Sequence, residues 1–249
     1  MQTRQEVDER ARALYGAPLG AASGVLHVVA VARVGAALRV MRIGERSPKS
    51  ATDWFCLQLT RARVDAIVVS GSVLRAEPEL RYDLDGAGFH ALREGRDPPW
   101  LCVLTQSGAL PASHPVWSSW ARPIVYTGRE APLELPSRVE VVRVDDPTPR
   151  GALRHFLDDR GCASVSVEAG PRVAVPLYDR PCAIDELLLS TFEGELDPLA
   201  IGGPFLSEAA IEAALVPSGA ATAVEEPSGP WTFRRYLSRA RRGTAAGSR

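Results

Sequence analysis

Ala66-Ile67-Val68-Val69-Ser70-Gly71-Ser72-Val73-Leu74 is the stretch that decides our interpretation of the fold. Its first four residues are apolar without alternation, which predicts an interior parallel strand that is covered on both faces. The glycine and small hydroxyl residues that follow suit a bound phosphate, because backbone N–H groups are uncovered at the carboxyl end of such a strand. A tight turn without a ligand explains this segment equally well when it is taken alone.

A second segment of the same kind lies at Val167-Glu168-Ala169-Gly170-Pro171-Arg172, directly after the apolar run at 163–167. Pro171 suits the first turn of a helix, whose N-terminus attracts an anion. Glu168 is placed to accept a hydrogen bond from a ring N–H of a heterocycle; its alternative role is an exposed or capping carboxylate. Two such turns at one sheet edge favour a nucleotide crevice more than either turn does alone.

Further elements are predicted outward from these two segments. Apolar runs of strand length occur at 25–32, 37–43, 101–104, 124–126, 139–144, 184–192 and 231–237. Helical patterns occur at 3–14, from a cap at Ser50 or Thr52 to about Arg63, at 150–159 with Gly161 as its C-cap, and at 206–215. We expect a hairpin around Gly35, a βαβ unit from 139 to 167, and a long surface loop or insertion at 81–99. The sum is one mixed, largely parallel sheet with helices on both faces.

Composition excludes several classes of protein. The 249 residues include 29 Lys and Arg against 30 Asp and Glu, and this balance argues against a general nucleic-acid binder. Six arginines crowd the C-terminus, where a solvated basic tail at 241–249 is favoured over a nucleic-acid or membrane contact. No run approaches the roughly 18 apolar residues of a membrane span, and no signal peptide is evident. The cysteines show no metal-ligand spacing, so we expect no metal site and a cytoplasmic location.

The two segments resemble motifs of the NADPH-dependent pyrimidine reductases of riboflavin biosynthesis. The stretch from Arg61 to Leu80 is similar to the family pattern L-R-A-x-x-D-A-I-L-V-G-x-G-T-V-L-A-D-D-P-x-L, with one residue deleted before Gly71. The run 167–171 is similar to V-E-[GA]-G-P, and 184–187 to V-D-E-L. The family is the reductase domain of bifunctional deaminase-reductases and its stand-alone relatives. The resemblance implies an α/β, dihydrofolate-reductase-like fold at 23–240, preceded by an N-terminal extension at 1–22.

The resemblance also implies site residues, a cofactor and an assembly. The cofactor would be NADPH, contacted at Ala32, Ser70, Gly71, Ser72, Val73, Gly170, Pro171 and Arg172. The substrate would meet Arg61, Leu80 and Glu168. A homodimer is implied as well, and we expect the apolar strand at 184–189 to lie near a sheet edge that needs cover.

Three departures from the family pattern concern the substrate side. The family's first strand ends in S-L-D-G, where this chain has Arg33-Val34-Gly35-Ala36. Ala76 replaces the first Asp of D-D-P, and Asp83 stands where an Arg is expected. An acid, another acid and a cation are therefore replaced, so the pathway pyrimidine is expected to be a poor substrate or none.

Two function hypotheses follow. The first is a reductase that passes hydride from NADPH to a small substrate, of pyrimidine-ribosylamine or CH–OH type. The second is a non-catalytic nucleotide-binding or scaffold protein with a degenerate reductase site. Dihydrofolate reduction is a weaker third hypothesis, because a fold does not carry its substrate with it. The sequence singles out no proton donor.

Overall fold

A computed structural model describes residues 2–42 and 44–240. Twelve strands form one sheet: β1 Gly24–Val34, β2 Ala37–Met41, β3 Ala66–Ser70, β4 Trp100–Thr105, β5 Arg122–Gly128, β6 Glu140–Val144, β7 Ser164–Val167, β8 Glu186–Phe192, β9 Ile201–Pro204, β10 Leu215–Pro217, β11 Thr222–Glu226 and β12 Gly229–Ser238. Seven helices accompany them: α1 Arg4–Tyr15, α2 Ala51–Arg63, α3 Gly71–Ala76, α4 Ala87–Leu92, α5 Pro149–Arg154, α6 Pro171–Ala174 and α7 Glu208–Ala214. A π-helical turn, His155–Asp159, continues α5, and Gly161 follows with φ +64°.

The long path through the sheet runs β10-β12-β8-β1-β7-β3-β4-β5-β6. The seven strands from β8 to β6 are mutually parallel, while β12 is antiparallel to β8. Strand β3 lies between β7 and β4, and β7 lies between β1 and β3. Their side chains are buried throughout, so the prediction of two interior parallel strands is confirmed.

The cores on the two faces of the sheet follow from the alternation of side chains. Val25 and Val31 of β1 join the cluster that packs under α5, α6 and α7. Val28 and Ala32, with opposite parity, join the cluster that includes the buried residues of α1, α2 and α4. Helices therefore cover both faces of a mixed, mainly parallel sheet, as predicted.

The N-terminal helix begins with a capping box and adds to the core. Thr3 accepts a hydrogen bond from the Glu6 N–H, the Glu6 carboxylate accepts one from the Thr3 N–H, and Gly16 ends the helix with φ +77°. Val7, Ala11, Leu14 and Tyr15 are buried. The boundary at residue 22 between an extension and the reductase domain stays a prediction, and the basic tail at 241–249 lies outside the described residues.

Two expectations about the chain are wrong. The segment 81–99 is not a plain surface loop, because it contains α4 and buries Tyr82, Phe89 and Leu92. The strand at 184–189 is not near an edge, since β8 is paired on both sides by β1 and β12. All seven residues from Glu186 to Phe192 are buried within the sheet, so this strand gives no argument for a dimer.

One histidine is enclosed in the core below α6. His27 of β1 is 1% exposed, and its Nδ1 lies 2.8 Å from the Tyr178 hydroxyl. The ring also packs against Phe205, with centroids 5.9 Å apart. Within the described part of the chain, Nε2 has no hydrogen-bond partner. Burial lowers the pKa of His27 to about 3, so the imidazole is neutral at physiological pH.

Candidate functional site: the carboxyl edge of the central strands

The central strands separate at the carboxyl end of β7. Strand β1 pairs with β7 only from Gly24 to His27, then continues to Val34. On the same side it pairs with β2, starting at Val31. The sheet therefore has a notch above the end of β7, where β1 changes its neighbour. Ligand sites of open α/β sheets form at such places, outside the carboxyl ends of the strands.

The first predicted turn follows β3 at this edge. Gly71 begins α3 and is buried, and a Cβ there would lie 2.9 Å from Cδ2 of Leu110. The two serine hydroxyls, Ser70 Oγ and Ser72 Oγ, lie 2.7 Å apart. No side chain caps α3, and Ser72 is exposed while Val73 is half-buried. The turn therefore presents hydroxyl and backbone N–H groups toward the sheet edge, as a phosphate requires.

The second predicted turn lies beside the first. Val68 and Val167 are register partners, and the Glu168 N–H donates to the Val68 carbonyl at 2.9 Å. Gly170 caps α6 without a side-chain hydrogen bond, and nothing lies within 4 Å of a Cβ built on it. Pro171 occupies the first turn, and the Arg172 side chain is exposed. The predicted meeting of the two turns at one edge is confirmed.

The predicted substrate residues Arg61 and Glu168 form a buried ion pair. Arg61, near the end of α2, donates from Nη2 and Nε to Glu168 Oε2 at 2.8 and 3.1 Å. The two side chains are only 3% and 5% exposed. Burial raises the pKa of Glu168 and Arg61 opposes this, while the carboxylate holds the pKa of Arg61 above its usual value against desolvation. The sequence pointed to both residues but not to their mutual contact.

Aromatic rings enclose the Arg61 guanidinium. Its Cζ lies 4.2 Å from the Tyr82 ring centroid and 5.5 Å from that of Trp54. Trp54 is 44% exposed, and its indole N–H donates to Asp85 Oδ2 at 2.9 Å. The guanidinium Nη1 is buried and has no partner among the described residues. The pair thus keeps one unsatisfied donor beside the sheet edge, which an acceptor on a bound molecule would satisfy.

Residues that depart from the family pattern form structural contacts instead. Arg33 donates to Glu193 Oε2 at 2.7 Å and to Glu208 Oε1 at 3.0 Å, so it links β1 to the residue that follows β8 and to α7. Asp83 Oδ1 accepts from the Trp120 N–H at 2.6 Å, and Oδ2 accepts from Arg81 at 3.0 Å. Asp83 therefore orders its own loop, and Arg81 is already paired.

Two further residues predicted to contact the ligands, Ala32 and Leu80, are less accessible to them. Ala32 is fully buried in β1 between Arg39 of β2 and Phe192 of β8. Leu80 is half-buried against the core, with its N–H bonded to the Glu77 carbonyl. Neither presents a polar side chain to the site.

A cavity of about 580 Å³ extends the same sheet edge beyond β4, β5 and β6. It is lined by Gln106, Ser107, Gly128, Arg129, Glu130, Ala131, Pro132 and Asp145. Arg129 forms an ion pair with Asp145. This region was not predicted from the sequence, although hydroxyl, glycine and arginine residues directly follow the runs at 101–104 and 124–126, as similar residues do in the two turns.

Other kinds of site receive no support. Among residues 2–42 and 44–240, no group of three His, Cys, Asp or Glu side chains is placed to hold a metal ion. The helices described here include none with the length and apolar character to span a bilayer.

The expected α/β class, a mixed and mainly parallel sheet with helices on both faces, is confirmed by the sheet topology and by solved structures that share the fold. The model of the RibD C-terminal domain matches residues 41–210, and the chain belongs to this family. The recognition from sequence is thereby confirmed. No sequence match is found among curated proteins.

Solved structures share the fold. A pyrimidine reductase-like protein from Corynebacterium diphtheriae is 20% identical, with a TM-score of 0.64 over 87% of this chain and 92% of that one. The riboflavin biosynthesis reductase of Saccharomyces cerevisiae is 14% identical, with a TM-score of 0.53 over 91% and 96%. A deaminase/5-amino-6-(5-phosphoribosylamino)uracil reductase from Thermotoga maritima is 22% identical, with a TM-score of 0.55 over 87% of this chain and 56% of that one.

Proposed function

We propose that this protein is an NADPH-dependent reductase whose substrate is of pyrimidine-ribosylamine type. The observation that carries the proposal is the pair of turns at Ser70–Val73 and Gly170–Arg172, which lie side by side at the switch point of a RibD-family sheet. Membership of the family alone supports a reductase; the retained turns support binding of a phosphate-bearing cofactor by this chain.

The cofactor's phosphates are assigned to the residues of the two turns. Ser70, Gly71, Ser72 and Val73 offer hydroxyl and backbone N–H donors, and the open space at Gly170 admits a group close to the backbone. Arg172 is exposed and supplies a charge-assisted contact. The cavity beyond β4 to β6 has the volume for the cofactor's adenosine half. Ala32, which is buried, is proposed to line the nicotinamide end from behind.

The substrate is assigned to the Arg61–Glu168 pair. The bound cofactor supplies the hydride, and the chain supplies position and a water-poor polar site. Glu168 is held by Arg61 in one orientation, from which a carboxylate oxygen accepts a ring N–H. The free Arg61 Nη1 then donates to a ring carbonyl. Leu80 forms part of the apolar wall next to Tyr82.

A non-catalytic nucleotide-binding or scaffold protein is the second candidate. It is favoured by the closed state of the Arg61–Glu168 pair and by the engagement of Arg33, at the family's S-L-D-G position, in a structural ion pair. Dihydrofolate reduction stays a third hypothesis with no residue here that favours it.

Calorimetry and turnover separate the candidates. Both predict that NADPH binds, but only the reductase oxidises it, at 340 nm, when 5-amino-6-(5-phosphoribosylamino)uracil is added. We expect slow or absent oxidation with this pyrimidine, because Gly35 and Ala76 replace two acids. Binding without oxidation over a panel of reduced and oxidised pyrimidine ribosylamines would favour the scaffold. Absence of NADPH binding would reject the reductase.

We also propose a cytoplasmic homodimer. All four cysteines are unpaired, which suits a reducing compartment. The dimer rests on the family resemblance alone, because the edge argument at β8 is wrong. Static light scattering at micromolar concentration tests it, and a monomer mass would reject it.

A further inference from the structure

An exposed aromatic ring lies directly beside the buried ion pair of the site. Trp54 is 44% exposed, and no other Phe, Tyr or Trp side chain of residues 2–42 and 44–240 is exposed. It precedes Arg61 by seven positions on α2, about two turns, so both side chains lie on one face of this helix. The Arg61 Cζ lies 5.5 Å from the centroid of the indole. The site thus includes a large ring surface that a ligand could cover.

Hydrogen bonds hold this indole in one orientation. Its N–H donates to Asp85 Oδ2 at 2.9 Å. The segment that carries Asp85 is itself bound to α2, because the buried Gln58 accepts from the Asp85 N–H at 2.9 Å and donates to the Asp83 carbonyl at 3.3 Å. The exposed part of the ring is therefore a fixed surface, and a ligand that packs on it does not have to order it.

The unused donor of Arg61 lies next to the same ring. Nε and Nη2 donate to Glu168, while Nη1 is buried and has no partner among the described residues. A guanidinium is planar and donates in its own plane, so an acceptor at Nη1 lies close to that plane. The guanidinium is 4.2 Å from the Tyr82 centroid but 5.5 Å from that of Trp54, so it covers the indole less fully. A flat ring whose carbonyl accepts from Nη1 is then placed to stack on the rest of the indole.

We propose that Trp54 stacks on the pyrimidine ring of the substrate and selects rings that are planar and conjugated. This inference rests on the proposed function, which assigns the edge of the ring to Arg61 and Glu168. The ion pair binds N–H and carbonyl groups, which a saturated ring also carries, whereas the indole distinguishes a flat ring from a puckered one. Trp54 is thereby a specificity-determining residue.

Uracil and 5,6-dihydrouracil separate the two kinds of contact. Both have the same ring N–H and carbonyl groups, but only uracil is flat and conjugated. In calorimetry, the wild-type protein should bind uracil more tightly than dihydrouracil. Trp54→Leu should weaken uracil binding by about 5- to 100-fold and change dihydrouracil binding much less, while Trp54→Phe should retain most of the affinity. Absence of uracil binding by the wild type, with and without NADPH, would overturn the proposal, and so would an unchanged affinity in Trp54→Leu.

A purely structural role of Trp54 gives a different result. If the indole only supports Arg61, then Trp54→Leu weakens both ligands equally, because both need the hydrogen bonds of the ion pair; that outcome rejects stacking. Trp100→Leu is the matched control. Trp100 is half-buried at the amino end of β4 and also packs against two arginines, Arg122 and Arg160, at 4.2 and 4.3 Å. This variant should bind uracil as the wild type does, and an equal loss there would contradict the assignment.

Tryptophan fluorescence reports the contact itself. Uracil stacked on the indole should quench the emission of Trp54, so titration with uracil should lower the fluorescence of the wild-type protein but not that of Trp54→Phe. Equal quenching in both proteins would show that the ring binds elsewhere.

NADPH titration and turnover keep the two proposals apart. If NADPH fails to bind while uracil still quenches Trp54, the reductase is rejected and the ring site stands. If NADPH is oxidised with the pathway pyrimidine and Trp54→Leu keeps the wild-type kcat/KM, only the role of Trp54 is rejected.

Discussion

Replacing His27 should remove much of the protein's sensitivity to mild acid. The folded protein keeps this imidazole neutral, because burial lowers its pKa from 6.5 to about 3. The unfolded chain takes up a proton there near pH 6.5. Between the two values the unfolded state binds more protons, so stability rises with pH across this window and falls as pH drops below 6.5.

The magnitude follows from the interval between the pKa of the unfolded chain and the pH. Each pH unit in this window changes the free energy of unfolding by about 1.4 kcal/mol. At pH 5, which is 1.5 units below 6.5, His27 therefore lowers the free energy of unfolding of the wild-type protein by about 2 kcal/mol relative to pH 7.5. His27→Gln retains a polar group for the Tyr178 hydroxyl and does not titrate. It should be less stable than wild type at pH 7.5, and the difference should shrink by about 2 kcal/mol at pH 5.

Urea denaturation at pH 7.5, 6.5 and 5.0 measures both proteins. The difference in unfolding free energy between them isolates His27, because all carboxylates are common to both. If wild type and His27→Gln lose stability in parallel between pH 7.5 and 5.0, then the imidazole titrates in the folded state near its ordinary value, and the argument from burial is refuted.

Three further outcomes are expected. Arg172→Ala should weaken NADPH binding by about 10- to 100-fold in calorimetry, whereas Arg180→Ala, an exposed arginine away from the turns, should leave it unchanged; equal effects would remove Arg172 from the cofactor site. Glu186→Gln should lower the free energy of unfolding in urea by about 3–5 kcal/mol, because Arg63 and Arg235 then lose the buried carboxylate that balances their charge. The surface variant Glu212→Gln is the control and should lower it by less than about 1 kcal/mol. Leu14→Ala should lower the free energy of unfolding by about 2–5 kcal/mol, since this side chain of α1 is buried in the core, and a loss near zero would show that α1 is not part of the folding unit.

The interior strands could be predicted from the sequence because they carry few polar residues. The run 66–69 is apolar without interruption, and the run 163–167 contains two small serines between apolar residues. Such runs suit a strand that is covered on both faces by helices. Strands β9, β10 and β11 were missed because they are short, polar or glycine-rich and depend on partners, as β9 depends on β2 and β11 on β12. The segment 81–99 was wrongly predicted because its glycines and prolines are typical of loops. Its buried apolar residues, Tyr82 and those of α4, are too widely spaced to form a clear pattern.

The two turns of the site could be predicted from the sequence, but the partners of its charged residues could not. Glycine and serine directly after a strand indicate a turn from local sequence alone. The contact of Arg61 with Glu168 joins residues 107 positions apart, and so needs the register of β3 with β7 before it can be seen. The structural contacts of Arg33 and Asp83 could not be predicted for the same reason. A comparison of motifs shows only that the family's residues are absent at these positions.

The placement of β1 at the centre of the sheet has a consequence for synthesis on the ribosome. This strand is made within the first 34 residues, yet its partners are Ser164–Val167 and Glu186–Phe192. About 130 further residues are made before β7 exists and about 160 before β8 does, and at ~5–20 residues per second this takes roughly 7 to 30 seconds. Only the hairpin with β2 forms early. We therefore expect the nascent chain to be a client of holding chaperones until β8 has emerged, and the isolated protein to refold slowly, since its central pairings are the most distant ones.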